Sequence, residues 1–398
     1  MTIMSSFEQE RLRESAWQLL DNYQAESAFF FASPNHTLLG QLSYVDLISQ
    51  TALLELEQRV NEALQRAERG GEVNPVVVGA LPFAPDAAAY LALPSRVVWA
   101  GPLHAEAQPY WHNQRLPHCS IEPMPAPEHY KQGVAQALAK MQAGDLQKVV
   151  LSRSLQLTAE APLDVNLILA NLARNNKTGY TFAVPLPTRR ALVGASPELL
   201  LARNGNQVIA NPLAGSIPRS ADPEEDARRA AGLLESPKDL HEHKVVIEAV
   251  AAALAPFCLS LDVPQPTVIS TATMWHLSTT LVGELKPDAP SSLGLALALH
   301  PTPAVCGTPT EVARAAIREI EPFDRGFFTG MVGWCNAQGD GEWIVTIRCA
   351  EVVDQSLRLF AGAGVVLGST PEAELAETAA KFRTMLLAMG IDSEGEVA

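Results

Sequence analysis

The segment with the clearest capacity for chemistry is His-Glu-His, inside "ESPKDLHEHK" at 235–244. Histidine nitrogens and carboxylate oxygens are common metal ligands, and the same residues also occur on solvated helix faces. A helical zinc site of the H-E-x-x-H type needs two histidines at i and i+4. His241 and His243 are at i and i+2, so their side chains diverge by about 200° around a helix. The spacing therefore disfavours zinc.

A helix is predicted to begin just before this motif. Ser236 is a typical N-cap residue, Pro237 suits the first helical turn, and Asp239 occupies the third position. Any helix that precedes the motif must kink or restart here, because proline cannot continue it. In the new helix Asp239 and Glu242 are at i and i+3, which puts both carboxylates on one face.

A second segment, "GSTPEAELAETAAK" at 368–381, repeats this arrangement. Ser369 or Thr370 caps a helix that starts with proline, and Glu374 and Glu377 follow at i and i+3. Two helices that each present a pair of carboxylates could hold a hard, oxygen-preferring ion such as magnesium. The alternative is two solvated helix starts whose acidic residues complement the helix dipoles. The residues alone leave both interpretations open.

Three further side chains occupy positions where their chemistry would be useful. Lys148 opens the apolar run "KVVLSRSLQL". It is either a lysine at the rim of a sheet or a general base whose neutral amine is favoured by burial or neighbouring cations. Glu198 precedes three leucines, where a partly desolvated carboxyl holds its proton more tightly. Arg348 alternates with Ile344 and Thr346 in a predicted strand, which suggests bidentate recognition of a carboxylate.

Glycine-containing segments and regular elements must position these side chains. "PLAGS" (212–216) and "AGAG" (361–364) are predicted to be bends whose backbone N–H groups can bind a carboxylate. Grouped strands with helices between them favour an α+β fold with antiparallel sheets. Helices are predicted at the start of the chain and at 50–69, 223–255 and 309–319, and strands at 76–83, 148–157, 180–186, 190–196, 198–203 and 207–216. The segments 327–336, 341–353 and 357–366 are predicted to form an antiparallel meander.

Composition limits the class of protein. The chain has 398 residues, of which 47% are hydrophobic and 18% charged, as in ordinary globular proteins. A formal net charge of −15 argues against nucleic-acid partners and anionic membrane surfaces. The five cysteines show no C-x-x-C pairing, which is typical of buried thiols in a reducing compartment. No secretion signal or membrane-spanning run is evident, so a cytoplasmic location is expected.

The motifs taken together resemble the chorismate-utilising enzymes, and among them most closely the isochorismate synthases of catecholate siderophore pathways, of the enterobactin type. They follow the family order over about 145–385: "KVVLSR", "GASPELLL", "PLAGS", "KDLHEH", "TMWHLST", "LHPTPAVCG", "EPFDRGFFTGMVGW", "GEWIVTIRCA", "LFAGAGVV" and "ELAETAAK". The resemblance implies a single α+β chorismate-binding domain with large packed antiparallel sheets and helices outside. Residues 1–120 would form an N-terminal part integrated with the core, and 121–398 the catalytic region.

The resemblance also implies a reaction. Magnesium-dependent isomerisation of chorismate to isochorismate adds water at carbon 2 and expels the hydroxyl from carbon 4, and the product feeds 2,3-dihydroxybenzoate and catecholate siderophores. Lys148 looks like the base that activates water, and Glu198 like the acid that protonates the leaving hydroxyl. The implied metal ligands are Glu242 and Glu377 directly and Asp239 and Glu374 through water. The implied substrate-binding residues are Gly215, Ser216, His276, Ala304, Arg348, Gly362 and Lys381.

Two alternative functions remain beside this interpretation. Lys148 together with Ala214 favours water over ammonia as the nucleophile. Relatives that add ammonia usually lack the lysine that corresponds to Lys148, and one of them carries a lysine at the place of Ala214. Salicylate synthases share both features and then eliminate pyruvate, so they are the leading alternative. The other is a relative without catalysis that serves as a binding or regulatory subunit, although competent residues fill the catalytic positions. The expected partners are chorismate and, transiently, the next pathway enzyme, for a monomer that binds neither nucleic acid nor membranes.

Overall fold

A computed structural model of the chain describes residues 15–42, 47–48, 53–103 and 117–391. Most of the predicted helical opening, the first residues of the helix predicted at 50–69 and residues 104–116 lie outside these ranges. No helix within them is long and apolar enough to cross a membrane.

Two large antiparallel sheets form the body of the protein. The ten-stranded sheet has the order β18-β8-β22-β21-β10-β9-β1-β2-β6, and β7 pairs with the outer edge of β8. Its strands are β1 (Ala28–Ala32), β2 (Thr37–Gln41), β6 (Arg96–Ala100), β7 (Cys119–Met124), β8 (Lys148–Ala159), β9 (Tyr180–Leu186), β10 (Arg190–Ser196), β18 (Gly307–Thr308), β21 (Cys349–Val353) and β22 (Ser356–Val366).

The second large sheet has nine strands, and a third sheet has three. The nine-stranded sheet has the order β14-β17-β12-β11-β20-β19-β4-β5-β3, and the small sheet β13-β16-β15. The nine strands are β3 (Leu47–Ile48), β4 (Val76–Leu81), β5 (Tyr90–Ala92), β11 (Leu199–Asn204), β12 (Gln207–Asn211), β14 (Cys258–Asp262), β17 (Leu281–Leu285), β19 (Met331–Asn336) and β20 (Gly341–Val345). The three are β13 (Leu213–Pro218), β15 (Thr267–Ser270) and β16 (Met274–Ser278).

Helices cover the outer faces of the sheets. They are α1 (Ala16–Asp21), α2 (Leu53–Arg69), α3 (Pro127–Gln142), α4 (Val165–Asn175), α5 (Pro223–Glu235), α6 (Pro237–Leu254), α7 (Ser292–Leu299), α8 (Thr310–Ile320) and α9 (Pro371–Ala388). One apolar cluster joins α1, α4 and α9 to the ten-stranded sheet, and another joins α2, α6 and α7 to the nine-stranded sheet. The expectation of an α+β fold with packed antiparallel sheets and helices outside is confirmed.

The core between the two large sheets is built from aromatic and β-branched side chains. Phe31 and Phe182 of the ten-stranded sheet meet Val78, Val332 and Ile344 of the nine-stranded sheet, and all five are fully buried. Burial of one such side chain stabilises the fold by about 1.5–3 kcal/mol. The N-terminal strands contribute to both sheets, whereas the predicted boundary between residues 120 and 121 stays a prediction.

Several predicted segments differ from the structure because the chain changes sheet inside them. The strand predicted at 207–216 is β12 followed by β13, with Pro212 between the two sheets. The strand predicted at 341–353 is β20 followed by β21, so the predicted meander is two antiparallel pairs in different sheets. Arg348 lies in this crossover with φ of 50°, and its predicted place in an alternating strand is wrong. "AGAG" is not a bend, because it lies inside β22.

Candidate active site

A cavity of ≈ 640 Å³, counted with its open mouth, lies where β8, β13, β22, α6 and α9 converge. Its size and mixed polar and apolar lining are typical of a small-molecule site. Most of the predicted site residues line it: Glu198, Gly215, Ser216, Glu242, His276, Ala304, Arg348, Gly362, Glu377 and Lys381. Lys148 lies on β8, two residues before Val150 of the cavity wall. Asp239 lies three residues before Glu242 on α6, and Glu374 three residues before Glu377 on α9.

Lys148 is the first residue of β8 and is held between two neighbouring strands. It is paired with Thr308 of β18 on one side and with Val366 of β22 on the other, and it is fully buried. Its Nζ lies 3.0 Å from Glu242 Oε1. The contact is an ion pair without hydrogen-bond geometry, so the ammonium has no hydrogen-bond acceptor among the described residues. The interpretation as a rim lysine is wrong.

Glycine at position 364 makes this ion pair possible. A Cβ atom there would collide with the carboxylate of Glu242 and would lie 3.2 Å from Lys148 Cε. Any larger residue would therefore push α6 away from β22 or turn Glu242 out of the cavity. The glycine allows the helix carboxylate and the strand ammonium to meet.

The start of α6 is formed as the sequence predicts. Ser236 caps the helix by accepting a hydrogen bond from the backbone N–H of Asp239. His243 is buried: its Nδ1 donates to Ala214 O (3.2 Å), and its Nε2 accepts from Thr279 Oγ1 (2.8 Å). Burial lowers the pKa of His243 to about 4, so the ring is neutral. His243 thus anchors the chain beside the cavity, while His241 is exposed, and no zinc-like convergence exists between them.

The start of α9 brings two carboxylates towards the same place. Thr370 is the N-cap residue. Glu374 is fully buried and pairs with Lys238 of α6 at 2.9 Å between Oε1 and Nζ. Glu377 Oε1 forms an ion pair with Lys381 Nζ (2.7 Å) and accepts a hydrogen bond from Ser216 Oγ (2.9 Å).

The two carboxylates of α9 differ in their pKa. Burial, and then the neighbouring charge of Glu377, raises the pKa of Glu374, although Lys238 opposes this. Burial also acts to raise the pKa of Glu377, but Lys381 and the Ser216 hydroxyl outweigh it and bring that pKa below its usual value. Glu377 is therefore the more readily ionised carboxylate of the pair.

The carboxylate oxygens at this site suit a hard cation, and in this structure they are paired with lysines. Within the described ranges, no three His, Cys, Asp or Glu side chains are grouped closely enough to hold a metal ion. Glu242, Glu374 and Glu377 are each paired with a lysine instead. Glu374 Oε2 is buried and has no hydrogen-bond partner among the residues that the structure describes. Carboxylate oxygens and one unsatisfied buried oxygen suit an oxygen-preferring divalent ion once the lysines yield.

Glu198 is a buried carboxyl that holds its proton. It follows the turn after β10, where Ser196 Oγ accepts from the Glu198 N–H (3.2 Å) and donates to Val345 O (2.7 Å). Burial raises the pKa of Glu198 to about 7, against the opposing effects of the Leu213 N–H and of Lys148. The group can therefore donate a proton near neutral pH.

Arg348 presents its guanidinium to the cavity from the crossover between β20 and β21. Its Nη2 donates to His276 Nε2 (3.1 Å) and its Nη1 to Thr384 Oγ1 (3.2 Å). Burial, and then the charges of Arg348 and Lys381, holds the pKa of His276 well below its usual range, so the ring can accept. Burial lowers the pKa of Arg348 to about 10, which leaves the guanidinium charged at neutral pH. Arg348 is thus a fixed, buried cation.

Two glycines bring backbone groups to the cavity wall. Gly215 has φ of 78° at a bulge in β13, and a Cβ there would crowd Asp239 and Leu277. Gly362 O accepts from Lys381 Nζ (2.8 Å), so the Gly362 N–H, on the same side of its strand, also points away from β8. The expectation that backbone donors from both glycine segments bind a carboxylate stays a prediction.

Sequence reasoning missed an aromatic wall and several positioning residues. Phe328 and Phe360 stack with ring centroids 5.0 Å apart, and both line the cavity. Thr384 holds Arg348, and Lys238 pairs with Glu374. The motifs "EPFDRGFFTG" and "LFAGAG" contain both phenylalanines, but nothing in their spacing tells which aromatic ring faces the cavity.

Comparisons with known proteins identify the family of the chain. Residues 103–390 match the family model described as chorismate binding enzyme. The isochorismate synthase DhbC of Bacillus subtilis is 56% identical over 95% of this chain and 97% of that protein. The isochorismate synthase EntC of Escherichia coli is 38% identical over 92% and 96%.

Solved structures give the same relationship. A Bacillus anthracis protein, DhbC, whose crystal structure is assigned as a 2,3-dihydroxybenzoate-specific isochorismate synthase, matches with a TM-score of 0.90 and 52% identity. The match covers 95% of this chain and all of that chain (100%). The menaquinone-specific isochorismate synthase MenF of Escherichia coli, at 24% identity and a TM-score of 0.79, shares the fold. By this family match, its relatives and its fold, the chain belongs to the chorismate binding enzyme family.

Proposed function

We propose that this protein is an isochorismate synthase, an isomerase that converts chorismate to isochorismate by adding water at carbon 2 and expelling the hydroxyl at carbon 4. The observation that carries this proposal is a buried amine and a buried carboxyl at one cavity. Lys148 is fully buried, and Glu198, within its electrostatic range, has a pKa raised to about 7. The names of the DhbC and EntC relatives support the same activity.

Chorismate is a dianion, and a chain with a net charge of −15 needs local positive groups to bind it. Arg348 and Lys381 supply them at the cavity wall. Backbone N–H groups at Gly215 and Gly362 add donors without bringing further charge. Ser216, His276 and Ala304 line the same cavity. His276 also holds Arg348 in place by accepting its hydrogen bond. These groups orient the ring so that its carbon 2 and carbon 4 face the two proton-transfer residues.

The proton transfers fall to Lys148 and Glu198. Water is a weak nucleophile, so the Lys148 amine accepts a proton from it as the new carbon–oxygen bond forms. Hydroxide is a poor leaving group, so the Glu198 carboxyl donates its proton to the departing oxygen. Each such transfer is typically worth about 10²–10⁴ in rate.

A divalent ion completes the site. Enzymes of this family generally use one, and the oxygen donors here favour magnesium. Glu242 and Glu377 are proposed as direct ligands, with Asp239 and Glu374 linked through water. When bound, the ion supplies positive charge to the substrate carboxylate and competes with Lys148 for Glu242.

The product is proposed to leave as isochorismate and to feed 2,3-dihydroxybenzoate and a catecholate siderophore. The names of the relatives support this and do not favour a salicylate synthase. The protein is proposed to act as a monomer with transient contact to the next pathway enzyme. Its cytoplasmic location stays a prediction from the sequence.

The test is product identification. Purified protein is incubated with chorismate and magnesium, without any added lyase, and the products are separated by chromatography. Isochorismate with little pyruvate is expected. Stoichiometric salicylate and pyruvate would promote the salicylate alternative, and no turnover would favour a subunit without catalysis.

A further inference from the structure

Three lysines pair with a carboxylate cluster that consists of Glu242, Glu374 and Glu377. One of these lysines has no part in the proposed reaction. Lys148 is the proposed base, and Lys381 lines the cavity in which the substrate is proposed to bind. Lys238, the second residue of α6, instead bridges to α9 through Glu374, with 2.9 Å between its Nζ and Oε1. Its neighbour in the chain is Asp239, whose carboxyl is proposed to hold a metal-bound water.

The burial of this pair is uneven. The Glu374 side chain is 0% exposed, whereas that of Lys238 is 30% exposed. The second oxygen of Glu374 is buried, and no hydrogen-bond partner for it lies in the described part of the chain. Lys238 is also within electrostatic range of Glu377 and Glu242. One ammonium at the solvent side therefore faces three carboxylates of the cluster.

Charge balance explains why an ammonium is needed there. A buried carboxylate without a nearby cation is strongly unfavourable. A divalent ion would satisfy the same carboxylates, but an ammonium within a few ångströms of that ion would repel it. Lysine carries its charge on a flexible four-carbon stem, so a partly exposed lysine can withdraw to water at modest cost.

We propose that Lys238 is an internal counter-ion that neutralises the cluster when no divalent ion is bound and competes with that ion for Glu374. This inference rests on the proposed metal-dependent function and adds a determinant of metal affinity to it. Lys238 thereby weakens metal binding in the absence of substrate. The opposite role, in which Lys238 stays in place and orients Glu374 towards the ion, predicts the opposite change on its removal.

The test is a binding measurement on the full chain without chorismate. Isothermal titration calorimetry with MgCl₂, and with MnCl₂ as a second probe, compares wild type with Lys238→Met. We expect Lys238→Met to bind each ion about tenfold more tightly, because a competing charge a few ångströms away is removed. Lys244→Met is the matched control, since Lys244 lies on the same helix, is 70% exposed and forms an ion pair with Glu248 at 3.7 Å on the helix surface. The control should bind as wild type does.

Stability gives a second readout. Without metal, Lys238→Met should melt at a lower temperature than wild type, because Glu374 loses its cation. Saturating metal should then raise its Tm more than that of wild type. Lys238→Arg keeps the charge and should not bind metal more tightly than wild type. This variant still tests the counter-ion role if Lys238→Met folds poorly.

The outcomes separate the inference from the proposed function. Unchanged or weaker metal binding by folded Lys238→Met, with normal binding by wild type, overturns the counter-ion role alone. Tighter binding by Lys238→Arg also overturns it, because a retained positive charge should still compete. Absence of metal binding by wild type, measured with and without chorismate, overturns both the inference and the metal-dependent function.

Discussion

In the proposed reaction, two buried residues, Lys148 and Glu198, have opposite proton roles. Glu198 owes its high pKa of about 7 first to burial. Lys148 is kept as an ion pair with Glu242 in this structure. A base must act as the neutral amine, so the proposed role of Lys148 requires this ion pair to be broken before the amine accepts a proton.

Glu198→Gln should lower kcat by about 10²–10⁴, because the amide cannot protonate the leaving hydroxyl. In wild type the carboxyl donates while protonated, so kcat/KM should fall as pH rises through about 7. The residual activity of the variant should lack this fall. Both are read from pH profiles with chorismate. A wild-type basic limb that persists unchanged in Glu198→Gln would assign the acid to another residue.

Lys148→Ala should lose water addition and still bind chorismate. The binding groups Arg348 and Lys381 lie on other elements and keep their partners. The measurements are turnover and, separately, chorismate affinity by fluorescence or calorimetry. Near-normal turnover at neutral pH would move the role of base to another group.

The predicted bounds of secondary-structure elements agree with the structure where the whole predicted segment belongs to one sheet or one helix. The ranges of β9 and β10 and the restart of the helix at Pro237 agree with the sequence patterns. The breaks at Pro212 and Arg348 were missed, because alternation along a strand does not tell which sheet the strand joins. The pairing of Lys238 with Glu374 was also missed, since it joins residues on two separate helices.

One buried ion pair completes the edge of the strand that carries Lys148. β8 pairs with β18 through its first two residues and with β7 from Ser154 onward, which leaves a gap between them. Arg325 fills it: its Nη2 donates to Val150 O (2.7 Å) and to Glu321 Oε1 (2.6 Å). Glu321 Oε1 in turn accepts from the Ser152 N–H (2.7 Å). The pair replaces a missing neighbouring strand.

Arg325→Met should therefore destabilise the protein by about 3–5 kcal/mol, because Glu321 is left as an uncompensated buried charge. Arg228→Met is the control: its partners are Glu224 and Glu225 on an exposed helix face, and it should cost at most about 1 kcal/mol. Denaturant unfolding measures both. Equal effects of the two substitutions would contradict the role given to the Arg325 pair.

At the scale of the whole molecule, two packed antiparallel sheets bring distant segments to one cavity. Lys148 comes from the ten-stranded sheet, Ser216 from the small sheet, and Glu242 and Glu377 from helices on different faces. The order of family motifs predicted the membership of this cavity. The distances depend on packing between sheets, which the sequence of each motif does not contain.

The proposed reaction adds water to carbon 2 of chorismate and removes the original hydroxyl from carbon 4. The most direct measurement is mass spectrometry of the product formed in ¹⁸O-enriched water with magnesium. The account predicts isochorismate that carries one heavy oxygen, located at carbon 2. Isochorismate without heavy oxygen would show transfer of the original hydroxyl within the substrate and would contradict the proposed reaction.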